Sequence, residues 1–246
     1  MGPASPQHDP SHELAELATV AGGLAHEIRN PLSTMKVNLQ LLEEDWANAS
    51  LDEGELRRRS RNRLAVVRGE AERLDGILAD FLRLATRHEL NLTDRDLNAV
   101  VREMVEFLAP DDAGGALRMR TALHDAPLPC RMDVNLIKQV LLNVLKNARE
   151  AMPDGGELLV RTRPDGPDGV RVDVTDTGVG MSADEVASAF RAYHSTKKGG
   201  TGLGLTMTRR IVREHGGTVV LESEPGKGTN VVIRLPRDGK ASTHGD

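Results

Sequence analysis

Apolar residues near the start of the chain recur three and four positions apart: Leu17, Ala21, Leu24, Ile28, Leu32, Met35, Leu39 and Leu42. That spacing places them on one narrow stripe of an amphipathic helix running from Ser11 to Leu42. A second run repeats the pattern through Leu64, Val67, Ala71, Leu74, Leu78, Phe81 and Ala85. Ser50, with Glu53 three residues on, reads as a capping box at its start, each side chain satisfying an orphan backbone donor. Two long helices joined by a short polar turn form an antiparallel hairpin, and one hairpin covers each stripe only against its mate. Pairing two copies closes a four-helix bundle, so a homodimer is expected, although so narrow a seam could also dock on the domain that follows.

After about Thr93 the period shifts to two. Leu117, Met119, Thr121 and Leu123 alternate with Arg118 and Arg120, as on a half-covered strand. Asp133 reads as the cap of a helix carrying Leu136, Val140, Leu141, Val144, Leu145 and Ala148. Strands are expected around Leu158 to Arg161 and Val170 to Val174. A glycine-rich stretch, a helix ending at Gly216 and a hairpin turning at Gly226 to Gly228 complete the pattern. The fold class is therefore α+β: a helical hairpin forming a dimeric four-helix bundle (11–90), then an α/β sandwich (91–238). The polar tail after Pro236, 239–246 above all, is expected to be disordered.

Composition narrows the function. The 246 residues are 39% hydrophobic, enough for a real core, but only 2% aromatic, and the net charge is -5. Nucleic-acid binders need a basic footprint or stacking platforms, and this chain has neither. The single cysteine, Cys130, excludes an internal disulfide and reads as a small core residue, as suits a reducing cytosol. No apolar run approaches the roughly 18 residues that span a bilayer, and the first residues lack a signal-peptide core. A soluble cytoplasmic chain, or the cytoplasmic part of a larger sensor, is the expectation.

The candidate chemistry begins at His26. It lies two residues from both Leu24 and Ile28, roughly 160° from the apolar stripe, and is expected to face solvent. A lone helical histidine is most often a plain surface group, but the neighbours here are unusual. Glu27 adjoins it, Asn30 follows one turn later, and Pro31 sits inside the helix at a cost of about 3 kcal/mol or more. A neutral imidazole is a competent nucleophile near neutral pH, and an adjacent carboxylate can orient it and accept its proton. Asn30 could hold a water for the reverse, hydrolytic reaction. The segment Ala25-His26-Glu27-Ile28-Arg29-Asn30-Pro31-Leu32 resembles the H-box of the sensor histidine kinases of two-component systems, in a style nearest the nitrogen-regulation type. The resemblance implies that His26 is phosphorylated, that Glu27 is the base, and that Asn30 supports phosphatase activity toward a response regulator.

Further along, Asn143 and Asn147 share one face of the Asp133 helix. The segment Gln139 to Ala148 resembles the family N-box, which implies that Asn147 ligates Mg²⁺. Related ATPases of this fold carry a water-activating glutamate where this chain has Asn143, and an amide cannot act as that base. Val170, Val172, Val174 and Asp176 share one strand parity, so the carboxylate points where the buried valines point. A buried carboxylate demands a donor, and the exocyclic amine of adenine is one; a turn-initiating aspartate is the alternative. Asp176-Thr177-Gly178-Val179-Gly180 resembles the G1 box, whose aspartate reads adenine.

Gly200-Thr201-Gly202-Leu203-Gly204 opens a helix whose amides can meet phosphates, and it resembles the G2 box. Phe190 and the run Tyr193 to Lys198 resemble the F-box and a lid. Lys197 or Lys198 is expected to neutralise phosphate charge, with a solvated basic turn as the alternative. Where the family often has a basic residue three positions after the magnesium asparagine, this chain has Glu150, which adds Lys146 and Arg149 as candidates. Gly178, Gly180 and Ala183 also fit a loose dinucleotide fingerprint, but the second glycine cluster occupies the place of the expected ribose-binding acid.

The resemblance covers roughly Glu13 to Leu235. It implies Mg²⁺ and ATP as cofactors, autophosphorylation of His26, and phosphotransfer to an aspartate on a response regulator receiver domain. Two rivals are an ATPase of the same superfamily driving conformational change, and a noncatalytic dimer that binds or dephosphorylates a regulator.

Overall fold

The computed structural model describes residues 10–47, 52–85, 89–108, 117–192 and 202–239; within helices, the side chains of 10–21, 26, 80 and 83–85 lie outside that description. The chain divides into two compact units.

The first unit is a hairpin of α1 (Pro10–Ala47) and α2 (Glu53–Ala85). The helix entrance differs from the expected capping box. Asp52 accepts the Glu55 amide at 2.9 Å, and Glu53 is the first helical residue. A carboxylate one position before Glu53 caps as well as a hydroxyl and adds charge that suits the positive helix end; Ser50 lies outside the described residues. Much of the predicted stripe is uncovered: Leu32, Leu39, Leu64 and Leu78 are 50%, 45%, 52% and 49% exposed, whereas Ile77, beside the predicted Leu78, is fully buried. A single hairpin therefore leaves apolar surface for another element to cover.

Its turn end is held by charge. Arg63 Nε donates to Asp45 Oδ2 at 2.7 Å, Arg59 reaches Asp45 Oδ1 at 3.4 Å, and Trp46 Nε1 donates to Ser60 Oγ at 3.1 Å. The Arg63 hydrogen bond holds the Asp45 carboxyl below its usual range, and the Arg59 hydrogen bond does the same for Glu55. A lowered folded-state pKa means stabilisation that is complete above the ordinary carboxylate values and is lost as pH falls through the folded values. Helix content measured from pH 6 down to pH 2 should therefore fall below about pH 4. Asp45→Asn should flatten that loss, and an unchanged acid profile in the variant would sink the assignment.

The second unit contains β1 (Thr93–Asp96), α3 (Leu97–Leu108), β2 (Leu117–Ala122), β3 (Pro129–Met132), α4 (Val134–Glu150), β4 (Gly156–Pro164), β5 (Gly169–Asp176), α5 (Ala183–Ser188), α6 (Gly204–Glu214), β6 (Thr218–Glu224) and β7 (Gly228–Pro236). Five strands form one sheet in the order β2-β4-β5-β7-β6, parallel only at β2–β4, and β1 pairs antiparallel with β3. Register builds the sheet in rows. Val160, Val174, Val231 and Leu221 stand side by side across four strands, and the next row is Leu158, Asp176, Thr229 and Ser223. Asp176 thus continues a buried apolar face, as its parity predicted.

Helices α4 and α6 pack against each other, with α3 beside α4. Asp133 caps α4 as expected, its Oδ1 accepting the amides of Asn135 and Leu136 at 3.1 and 3.2 Å. A buried histidine joins the two helices: His215 Nε2 accepts the Asp133 amide at 3.0 Å, and Nδ1 donates to the Ile211 carbonyl at 2.7 Å. Cys130 is buried in β3, where burial pushes its thiol up to about 11 and leaves it inert. Order extends past Pro236 because Arg237 accepts the Arg131 amide at 2.7 Å and donates its own to Asp168 at 2.8 Å; residues 240–246 lie outside the described residues.

Candidate active site

The expected histidine site lies on α1. His26 occupies a helical position, but its side chain is outside the described residues, so its predicted solvent-facing orientation is too. Glu27 is partly buried, and its Oε2 lies 3.4 Å from an Arg73 nitrogen of α2. Asn30 is exposed. Pro31 is buried, and α1 passes through it without a break. Lacking an N–H, Pro31 leaves the Glu27 carbonyl without its helical donor. The hydroxyls beyond it bond back into the same turn, Ser33 to the Arg29 carbonyl at 2.8 Å and Thr34 to the Asn30 carbonyl at 3.2 Å.

In the second unit the sheet, α4 and α6 bring most of the remaining candidates together. Asp176 ends β5 and is 5% exposed. Its Oδ1 accepts the Gly178 amide at 2.9 Å and the Thr229 amide at 3.2 Å, which fixes the carboxylate against both the turn that follows it and β7. Thr229 was not among the predicted residues. Its signal lay in the sequence as Gly226-Lys227-Gly228-Thr229, but only the pairing of β5 with β7 brings it opposite Asp176.

The segment 176–181 is fastened to the β6–β7 hairpin along its length. Gly226 donates to the Val179 carbonyl at 2.7 Å, and Met181 donates to Ser223 Oγ at 2.8 Å. The fit leaves no room for side chains at two glycines. A Cβ on Gly178 would sit 2.6 Å from the Ala151 carbonyl at the end of α4. Gly180 has φ +67°, and a Cβ there would collide with the Glu224 carbonyl. These glycines therefore make a close backbone approach possible.

Asn143 and Asn147 are both partly buried on α4. The Asn143 side-chain amide donates to the Gly204 carbonyl at 3.3 Å, tying the asparagine helix to the start of α6. Gly202 has φ +63°, and Leu203, buried at the entrance of α6, offers no side-chain acceptor to the leading amides. Phe190 meets this helix too: its carbonyl accepts from Thr206 Oγ1 at 3.2 Å, and Arg209 lies 5.5 Å over its ring. Lys197, Lys198, Gly200 and Thr201 lie outside the described residues.

Among the described residues no group of three or more His, Cys, Asp or Glu side chains could cage a metal. The Asn147 amide oxygen is a hard donor of the kind Mg²⁺ accepts when phosphates and waters fill the rest of its octahedron. That donor fits Mg²⁺.

Comparison with known proteins follows the same division. Residues 16–90 match the family described as the His Kinase A (phospho-acceptor) domain, and 132–239 match the histidine kinase-, DNA gyrase B- and HSP90-like ATPase family. Sensor histidine kinase ZraS of Klebsiella oxytoca is 37% identical over 229 residues, covering 93% of this chain and 48% of that protein. The chain spans about half the length of the curated ZraS relatives it matches. Among solved structures, full-length ShkA in complex with AMPPNP aligns with TM-score 0.63 and 27% identity over 93% of this chain and 47% of that one. Histidine kinase ThkA, in a complex with response regulator protein TrrA, shares the fold at TM-score 0.76 and 24% identity over 94% of this chain and 65% of that one.

Proposed function

Because the chain belongs to the sensor histidine kinase family, we propose that it transfers the γ-phosphoryl group of ATP to His26 and then to an aspartate of a response regulator receiver domain. Residues 11–90 form the dimerisation and phosphotransfer domain, and 91–238 the ATP-binding domain. The observation that carries this reading is the use of Asn143. Its amide is engaged as a hydrogen-bond donor to the Gly204 carbonyl, so the position can neither abstract a proton from water nor run the ATPase chemistry of the rival reading.

Asp176, fixed at Oδ1 by two amides, accepts the exocyclic amine of adenine. The leading amides of α6, with Gly202 and Gly204 keeping the backbone bare, meet the phosphates, helped by Lys197 or Lys198. Asn147 would ligate Mg²⁺, which supplies charge neutralisation on the phosphates. A ring nitrogen of neutral His26 attacks the γ-phosphorus in line. The bond to the β,γ-bridging oxygen breaks, ADP leaves with the electron pair, and the proton on the other ring nitrogen passes to Glu27. Positioning and electrostatics supply most of the acceleration. The receiver aspartate then displaces the imidazole from phosphorus. Asn30, exposed one turn from His26, supports a water-positioning role in dephosphorylating the regulator.

The exposed leucines of the hairpin support a homodimer, in which a second copy covers Leu32, Leu39, Leu64 and Leu78. No helix among the described residues is long and apolar enough to cross a membrane, and a cytoplasmic location fits a receiver-domain partner. Incubation with γ-labelled ATP and magnesium should give acid-labile, base-stable label on the wild-type chain. His26→Gln should lower that label by at least about 1,000-fold, since a glutamine amide is not a nucleophile toward phosphorus. Equal labelling of the two would overturn the assignment.

A further inference from the structure

We propose that Arg73 of α2 is a positioning residue for histidine phosphorylation, holding the Glu27 carboxylate where it can take the proton leaving the His26 ring. The inference rests on the reading of Glu27 as the base. Arg73 and Glu27 are 46 residues apart and on different helices, yet one guanidinium nitrogen lies 3.4 Å from Glu27 Oε2. A second guanidinium nitrogen lies 3.7 Å from Glu70 Oε2, one turn earlier on α2. One arginine is thus shared by two carboxylates, and all three side chains are at least two-thirds covered.

The geometry differs from that of an ion pair built for stability, and the hairpin contains one for comparison. Arg63 closes on Asp45 at 2.7 Å, with Arg59 adding a second contact, and that carboxylate is held below its usual range. At Glu27 the contact is single and long. Arg73 Nε and Glu70 Oε2 are buried without a hydrogen-bond partner among the described residues, an arrangement that forfeits stability. Such a contact sets the direction of the carboxylate through one long bond. A base must be fixed in direction yet keep its capacity for a proton, and a tight bidentate arginine would remove that capacity. Glu70 completes the device by lying near the other terminal nitrogen of the guanidinium, so that Arg73 is shared rather than given wholly to Glu27.

The test compares Arg73→Gln, Arg73→Lys, Glu27→Gln and the Glu27→Gln, Arg73→Gln double variant in the whole chain, by rapid-quench phosphorylation with γ-labelled ATP and magnesium. General-base assistance contributes about 100- to 10,000-fold, and Arg73→Gln should lose part of it, about 10- to 100-fold in the rate at saturating ATP. KM for ATP should stay within about twofold, because Arg73 belongs to the hairpin and not to the nucleotide unit. Arg73→Lys should recover most of the rate, and in the Glu27→Gln background Arg73→Gln should remove less than about twofold more. A wild-type rate in Glu27→Gln would overturn the reading of Glu27 as base, and the positioning role with it. A slow Glu27→Gln combined with a wild-type Arg73→Gln, or with losses that multiply, would overturn the role of Arg73 alone. Loss of helical circular dichroism or of self-association in Arg73→Gln, unrelieved in Arg73→Lys, would assign a structural role and equally overturn it.

Discussion

Asp176→Asn is expected to weaken ATP binding about 100-fold while leaving the second unit folded. The substitution keeps one carbonyl oxygen, which can still accept the amides of Gly178 and Thr229 that fix the side chain. It converts the other oxygen into an amino group. Adenine presents a donor at its exocyclic position, so donor meets donor in a buried site. Leaving such groups unpaired costs about 1–3 kcal/mol, more where a charge was lost. Titration with a fluorescent ATP analogue, alongside thermal melting of the same sample, separates the two effects. Undiminished affinity would remove Asp176 from base recognition and leave it as a turn-forming residue.

The largest effect on stability is expected at Gly180. Gly180→Ala forces a side chain into the left-handed region at φ +67° and drives its Cβ into the Glu224 carbonyl, with the Gly228 carbonyl 3.2 Å away. Left-handed strain of about 1–2 kcal/mol and overpacking of about 1–3 kcal/mol together give about 2–5 kcal/mol. For a unit of this size the melting temperature should fall by about 5–15 °C. Gly226 is the control: its φ of +74° is similar, but no atom lies within 4 Å of the site of a Cβ. Gly226→Ala should therefore cost only the strain, about 1–2 kcal/mol. Equal melting shifts in the two variants would show that the fastening of the loop to the hairpin contributes nothing.

Wherever one local period governed, the sequence was legible. The parity of Val170, Val172, Val174 and Asp176 placed the carboxylate on the core face, and the sheet register puts it in one row with Leu158 and Thr229. Asp133 was recognisable as a cap because capping is settled within three residues. Ser50 and Asp52 were harder to tell apart: both are good caps, and either start agrees with the stripe to within the usual slip of a helix boundary. Helix α3 was missed although Leu97, Val100, Val101 and Met104 are buried at helical spacing, since the alternation after it drew the reading toward strands. Contacts that span the chain left no local trace. Thr229 closes on Asp176 from 53 residues away, and Arg73 reaches Glu27 from 46. His215 read as the tail of a helix, with nothing beside it to announce that it receives a hydrogen bond from Asp133.

That histidine makes the pair α4 and α6 behave like a clothes-peg. The two helices run in opposite directions, so His215 and Asp133 form the spring end: a 1% exposed ring bonded at both nitrogens, one to each helix. The jaws are at the opposite end, where Asn143 meets Gly204 through one hydrogen bond at 3.3 Å. That contact is longer than either of the two hydrogen bonds of the spring end, which keep the helices in register. In the nucleotide reading proposed above, a triphosphate seated at the jaws would leave the buried spring end, and with it the alignment of the two helices, in place.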